Sequence, residues 1–350
     1  MKIMSIVGAR PQFIKLKPVD DHLTRVGLEH IVVHTGQHYD QNLSEIFFKN
    51  LNIPQPDLNL RIGSSPHGAQ IGKMLEKLEP YLLKVKPDWV LVFGDTNSTL
   101  AGALCAAKSN IPIAHIEAGL RSSNRVMPEE INRILTDHAS DLLFAPTLSA
   151  FRNLEREGLM VKSHLVGDVM LDLLLSLYDR ITANSLNHLK LPKEFFVSTI
   201  HRAANTDSKL KLSKLIHNIA KLDYPVVLVA HPRLLSAARK FEIDLNQNNI
   251  KVLEPQDYLT MLSVLHKSSG VITDSGGLQK EAFLLGIPCR TLRTESEWPE
   301  TFEDGMNTLD PEGENLRNLF SSQKRHSRSE LFGNGSAAEK IVEIIAQSSY

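Results

Sequence analysis

The stretch HIEAGLRSSNRVMPEEINR, from His115 to Arg133, sets three glutamates among arginines, and carboxylates of this kind are the usual carriers of general acid–base chemistry. Glu117 follows the apolar run Ile111–Ile116, which reads as a strand interior. Its carboxylate then emerges at the carboxyl edge of a sheet, where open α/β folds bind ligands. Pro128, Glu129 and Glu130 read as a helix opening, because proline is pre-shaped for the first turn and acids there complement the positive end of the dipole. Two readings stand side by side: surface acids that start a helix, or carboxylates with a task.

Three further segments place polar residues at comparable points. Gly8–Lys15, GARPQFIK, follows the first apolar run and opens a helix, the position where backbone N–H groups receive phosphate, and Arg10 and Lys15 add two cations. It lacks a GxGxxG pattern, so an ordinary strand-to-helix turn fits it as well. In VFGDTN, Val92–Asn97, Asp95 is either the N-cap of a helix Ser98–Lys108 or a site acid. Arg10, Asp95 and Glu117 each leave the end of a predicted parallel strand, which gathers them on one rim. TDSGGLQKE, Thr273–Glu281, again passes from strand to helix. There Ser275, Gly276 and Gly277 offer N–H groups and close backbone approach to a phosphate, and Glu281, one turn on, is placed to accept from a ribose diol. A plain glycine-rich turn is the competing reading. His201 and Arg202 end the run Phe196–Ile200 and supply a proton donor or cation, although a lone histidine is more often structural.

The elements that must position these residues alternate between strand and helix. Ile3–Val7, Ile31–Thr35, Trp89–Phe93, Pro112–Ile116, Leu142–Ala145 and His164–Val166 form one set; Phe196–Ile200, Val226–Ala230, Lys251–Leu253, Gly270–Thr273 and Cys289–Leu292 form a second. This rhythm predicts an α/β protein of two Rossmann-like, doubly wound parallel-sheet domains, residues 1–168 and 169–336, with a cleft between them. The connection falls within Gly167–Pro192, and the helical spacing of Ala337–Ala346 suggests that the terminal segment 337–350 packs back on the first domain.

Composition narrows the function. With 350 residues and 42% hydrophobic content, the chain can bury more than one core. Lys and Arg (39) balance Asp and Glu (40), which argues against nucleic acid or an anionic membrane as partner. Two cysteines, Cys105 and Cys289, are too few for a disulfide framework and suit a reducing cytosol. Met1–Val7 is interrupted by Gly8-Ala9-Arg10-Pro11 before a signal-peptide core develops, and the apolar runs are strand-sized, so a soluble cytoplasmic protein is expected. No HExxH, CxxC, Walker or GxSxG pattern occurs, which disfavours a metal centre, ATP hydrolysis and α/β-hydrolase chemistry. A nucleotide diphosphate remains the best ligand.

At these motifs the chain resembles the non-hydrolysing UDP-N-acetylglucosamine 2-epimerase family, bacterial enzymes of the GT-B type. The resemblance spans almost the whole length and rests on GARPQFIK at Gly8–Lys15, GDTNSTLAG at Gly94–Gly102, HIEAGLRS at His115–Ser122, PEEINR at Pro128–Arg133, HR at His201–Arg202 and TDSGGLQKEA at Thr273–Ala282. It implies an isomerase that inverts C2 of a UDP-linked 2-acetamido sugar by UDP elimination and re-addition, with no cofactor or metal, as a cytoplasmic homodimer supplying surface polysaccharide precursors. By the same resemblance Asp95 and Glu129 match carboxylates implicated in proton transfer at C2, and Glu117 matches a third essential acid. Arg10, Lys15 and His201 match cations that hold the sugar nucleotide. Ser275, Gly276, Gly277 and Glu281 match the nucleotide cradle, and Gln256 a residue near uracil.

Two departures stand out. The HRxEN pattern is HRAAN, with Ala204 in place of the acid, and the arginine of TERPE is Trp298. The Trp298 form, with VHTGQH at Val33–His38 and QKEAF at Gln279–Phe283, resembles the branch that acts on UDP-2,3-diacetamido-2,3-dideoxyglucuronic acid. The Gln37–Glu45 segment differs from relatives with a second, activating UDP-GlcNAc site. A hydrolysing 2-epimerase, a GT-B glycosyltransferase and a nucleotide-sugar sensor without turnover are the alternatives.

Overall fold

The computed structural model describes residues 1–37, 51–321 and 329–348. Most of the Gln37–Glu45 segment therefore lies outside the described residues. The chain divides into two compact units, Met1–Ser176 with Glu330–Tyr350, and Leu177–Ser329.

The strands of the first unit are β1 (Lys2–Val7), β2 (Glu29–His34), β3 (Leu58–Asn59), β4 (Trp89–Phe93), β5 (Ile113–Ile116), β6 (Leu142–Ala145) and β7 (Ser163–Leu165). They pair in parallel in the order β3-β2-β1-β4-β5-β6-β7. β4 and β5 are buried along their whole length, which is why β4 reads as a continuous apolar run and not as an alternating one, while β5 admits one polar residue, His115. Met74, Leu78 and Leu82 of the helix His67–Val85 and Ala101 and Cys105 of the helix Asn97–Lys108 join Ile6, Val90 and Val92 in one core. The helix Ala337–Gln347 packs against the helix Arg10–Arg25. Its approach is held by the Asp168 N–H on the Phe332 carbonyl (2.8 Å) and the Ala338 N–H on the Asp172 carboxylate (2.7 Å).

The second unit contains β8 (Phe196–Thr199), β9 (Val226–Val229), β10 (Ile250–Leu253), β11 (Gly270–Thr273), β12 (Cys289–Thr291) and β13 (Asn307–Leu309). All pair in parallel, in the order β10-β9-β8-β11-β12-β13. One core gathers Phe196, Leu228 and Ile272 with Leu212, Leu215 and Ile219 of the helix Lys209–Ala220, and a second gathers Val197, Val227 and Val264 with Leu186 and Phe195. The α/β class with two doubly wound parallel sheets holds. The short edge strands β3 and β13 carry no apolar run, and nothing in the sequence marked them.

In each sheet the winding reverses once, between β1 and β4 and between β8 and β11. Helices diverge to opposite faces there, leaving a crevice at the carboxyl ends of the two strands. The polar segments starting at Gly8, Gly94, His201 and Asp274 leave those four strands. Among the described residues no helix is long and apolar enough to cross a membrane.

Candidate active site

Gly8 closes β1 in tight quarters. A Cβ there would lie 2.0 Å from Ser98 Oγ and 2.1 Å from Thr35 Oγ1, so no side chain fits. The helix Arg10–Arg25 begins at Ala9 without a capping side chain, and Gln12 takes over that task. Its Oε1 accepts from the Gly8 N–H (2.7 Å) and the Ala9 N–H (3.0 Å), while its Nε2 donates to the Phe93 carbonyl (2.8 Å) and Thr99 Oγ1 (3.0 Å). One buried amide thus ties the turn that carries Arg10 to the turn that carries Asp95. Arg10 itself is exposed.

Thr96, not Asp95, caps the helix Asn97–Lys108, its Oγ1 accepting from the Thr99 N–H at 3.3 Å. The Asp95 carboxylate is therefore left to the Arg133 guanidinium, with which it pairs. Asn132 Nδ2 donates to the Asp95 carbonyl at 2.9 Å and fixes the same turn. Arg133 also donates to Glu130 at 2.8 Å, and Glu130 accepts from the Ser122 and Ser123 N–H groups at 2.9 and 2.8 Å. Burial works against the charged form of Glu130, but the hydrogen bonds from Ser122, Arg133 and Ser123 outweigh it and hold the carboxyl below its usual range. The Glu129 side chain, half-buried in the same first turn, has no hydrogen bond or ion pair with another described residue. Of two adjacent acids, one is locked into the scaffold and the other is available.

Glu117 follows β5 and pairs with Lys15; the two side chains are 5% and 11% exposed. Glu117 adopts φ +70°, a left-handed conformation that costs a non-glycine residue about 1–3 kcal/mol and persists where the surroundings over-determine it. Gly94 makes the pair possible, since a Cβ there would come within 3.1 Å of both Glu117 Oε2 and Lys15 Nζ. The ammonium of Lys15 is thereby shared with a carboxylate.

In the second unit the organising residue is Asp274, fully buried at the end of β11. Its carboxylate accepts from the His201 N–H (3.0 Å), the Arg202 N–H (2.9 Å) and Asn205 Nδ2 (3.0 Å), and it meets His201 Nδ1 at 3.1 Å. Arg202 Nε donates to the Asp274 carbonyl at 3.0 Å. Burial opposes the Asp274 charge; the hydrogen bond and charge of His201, with the Arg202 N–H and Asn205, more than offset it and hold the carboxyl below its usual range. The next residue, Ser275, caps the helix Gly276–Leu284, its Oγ accepting from the Leu278 N–H at 3.3 Å. Gly276 is buried against Glu297, whose Oε1 would lie 2.3 Å from a Cβ, whereas Gly277 is exposed and a Cβ there would meet only Ser275 Oγ at 3.9 Å. Glu281 is buried one turn further on. Gln256 lies between β10 and the helix Tyr258–Lys267, half-buried, its Nε2 donating to the Glu254 carbonyl at 2.7 Å. Of the two departures, Ala204 is exposed, and Trp298 is buried with Lys280 Nζ 3.9 Å above its ring.

Within the first unit the structure brings Lys15 to Glu117 and Asp95 to Arg133; within the second it joins His201 to the Ser275 turn through Asp274. Gln12, Arg133 and Asp274 were not singled out from sequence. Ala9-x-x-Gln12 has the spacing of a capping box, and Asp274 directly follows a buried strand, as Asp95 follows one after a single glycine. Among the described residues no group of His, Cys, Asp and Glu is arranged to hold a metal ion.

Comparison with known proteins matches this arrangement to one family. The family model described as UDP-N-acetylglucosamine 2-epimerase matches residues 21–346. A Methanococcus maripaludis protein named UDP-N-acetylglucosamine 2-epimerase homolog is 48% identical, over 99% of this chain and 99% of its own. The UDP-2,3-diacetamido-2,3-dideoxy-D-glucuronate 2-epimerase of Pseudomonas aeruginosa is 45% identical, over 99% of this chain and 100% of its own. The crystal structure of Methanocaldococcus jannaschii UDP-GlcNAc 2-epimerase in complex with UDP-GlcNAc and UDP has a TM-score of 0.93 at 42% identity, covering 99% of this chain and 100% of the other. The chain belongs to the UDP-N-acetylglucosamine 2-epimerase family.

Proposed function

We propose that this epimerase inverts C2 of a UDP-linked 2-acetamido sugar without hydrolysing it. The C2 hydrogen is not next to a carbonyl, so its loss must accompany departure of an anionic leaving group. In the forward step a base takes the C2 proton, the C1–O bond breaks and UDP leaves, giving a 2-acetamidoglycal. In the return step a proton arrives on the opposite face of C2, and UDP re-forms the C1–O bond. Inversion therefore needs proton-transfer groups on two faces, and no external redox partner.

The observation that carries this reading is the division of labour among carboxylates of the first unit. Asp95 and Glu129 reside on different elements, one oriented by Arg133 and the other without a side-chain hydrogen bond or ion pair among the described residues, and they are the pair assigned to C2. Glu117, held against Lys15, is assigned a supporting acid role. In the second unit, the Ser275–Gly277 turn and His201 receive the diphosphate, Glu281 the ribose and Gln256 the uracil side. Arg10 adds a cation. A homodimer in the cytoplasm, feeding surface polysaccharide synthesis, completes the reading.

The substrate is UDP-GlcNAc or a UDP-2,3-diacetamido-uronic acid derivative, the two sugars named for the Methanocaldococcus and Pseudomonas relatives. Incubating the protein with each in deuterated water, and following the sugar by NMR, tests this. Deuterium at C2 with the UDP linkage retained is expected for the true substrate. Net release of UDP and free sugar would select hydrolysis, and tight UDP binding without exchange on either sugar would select a sensor.

A further inference from the structure

A buried cluster of charges lies behind the two carboxylate-bearing turns of the first unit. His115 in β5 and Asp137 in the helix Pro128–Ala139 are both fully buried, with His115 Nδ1 2.7 Å from Asp137 Oδ1. The other ring nitrogen, Nε2, lies 2.8 Å from the Gly94 carbonyl, which can only accept. Both ring nitrogens therefore face oxygen atoms, and the imidazole bridges the helix Pro128–Ala139 to the Gly94 turn. The second Asp137 oxygen accepts from the Gly119 N–H at 3.1 Å and from Arg121 Nη1 at 2.8 Å. Arg121 is in turn clamped by Glu157, at 2.8 and 2.7 Å. Gly119 has φ +81° and no room for a side chain, a Cβ falling 2.3 Å from the Ala150 carbonyl oxygen, so the turn that starts at the left-handed Glu117 has one available path.

We propose that Asp137 is the positioning residue for both carboxylate turns: through His115 it sets the Gly94–Asp95 turn, and through Gly119 and Arg121 it sets the turn that carries Glu117. The inference rests on the C2 epimerase reading. Asp137 touches neither reacting atoms nor nucleotide in that reading; it acts by holding the carbonyl beneath the Lys15–Glu117 pair and the backbone just beyond Glu117. Burial opposes its charge, and the charges and hydrogen bonds of His115 and Arg121 keep it ionised. Loss of that anion removes the common partner of His115, the Gly119 N–H and Arg121 and lets both turns relax together. Because misplacement by about 1 Å costs on the order of a hundredfold in rate, the effect belongs in kcat.

The test compares C2 deuterium exchange of wild type and Asp137→Asn on the same UDP-sugar, with UDP affinity and thermal melting measured on both. Wild-type exchange checks the epimerase reading by itself. The variant then checks the hub: kcat is expected to fall about 30- to 100-fold, with KM and UDP affinity within about twofold. If Asp137→Asn does not fold, His115→Gln reports on the same link, since one amide cannot serve both Gly94 and Asp137 as the ring does; at least a tenfold fall in kcat is expected. A folded variant within threefold of wild-type kcat, or a loss confined to KM, overturns the proposal. Failure of both variants to fold assigns the pair to stability alone and overturns it equally.

Discussion

Replacing Gln12 with methionine keeps the side-chain volume and removes every polar atom from one buried position. Four hydrogen bonds are lost together, to Gly8, Ala9, Phe93 and Thr99, and the residue is 1% exposed, so water has no ready route to replace them. At a net 0.5–1.5 kcal/mol each, the expected loss is about 2–6 kcal/mol, with about 4 as the working value. The affected unit has about 200 residues, for which 1 kcal/mol moves the melting temperature by about 2–4 °C. Gln12→Met should therefore melt about 8–16 °C below wild type. Gln12→Glu separates the two halves of the amide: it retains acceptors for Gly8 and Ala9 but sets a carboxylate against the Phe93 carbonyl, and it should be no better than methionine. Differential scanning calorimetry reads the melt, and C2 exchange at a permissive temperature reads the Asp95 turn, with at least a tenfold loss expected. A melt within about 3 °C of wild type with unchanged exchange would refute the idea that this amide joins the β1 and β4 turns.

The remaining expectations concern charge and thiol chemistry. Lys15→Met leaves Glu117 buried without its cation, and breaking such a pair costs about 3–5 kcal/mol, measurable as a lower urea midpoint; an unchanged midpoint would show that the pair is not buried in solution. Glu130→Gln should lower the melting temperature while Glu129→Gln does not, because only Glu130 is tied to Ser122, Ser123 and Arg133; equal melts for both would contradict the assignment. Glu130, Asp137 and Asp274 are all held below the ordinary carboxyl range, so their stabilisation is present above the unfolded pKa of about 4 and is lost as pH falls through the folded values; a melt that stays flat well below pH 4 would contradict this. Burial, with Glu79 adding, pushes the Cys105 thiol to about 11, and burial pushes Cys289 to about 12. Native protein should accordingly resist a thiol reagent at pH 8 and react at both cysteines only when unfolded.

How much of this was legible in the sequence differs from residue to residue. Trp89–Phe93, Leu142–Ala145 and Gly270–Thr273 could be read to the residue, because strands buried on both faces demand unbroken apolar runs. β3 and β13, at the sheet edges, are too short to demand anything. The carboxylates proposed for the chemistry could be singled out because each stands within two residues of the end of such a run or at a proline-opened helix. Their supports were not. Asp137 meets His115 from the far end of a helix, and Asp274 meets His201 across the β8–β11 junction; neither contact has a local period or spacing to betray it. Asp95 shows the limit from the other side, since its sequence suits a helix cap and only the register of the turn gives that task to Thr96.

The central claim is that Asp95 and Glu129 move the C2 proton while other residues hold the nucleotide. It is tested most directly by measuring solvent deuterium entry at C2 in Asp95→Asn and Glu129→Gln, alongside UDP affinity by calorimetry. Exchange should vanish in both with UDP binding within about threefold of wild type, since neither side chain is assigned to the diphosphate. Near-normal exchange in both variants would contradict the account.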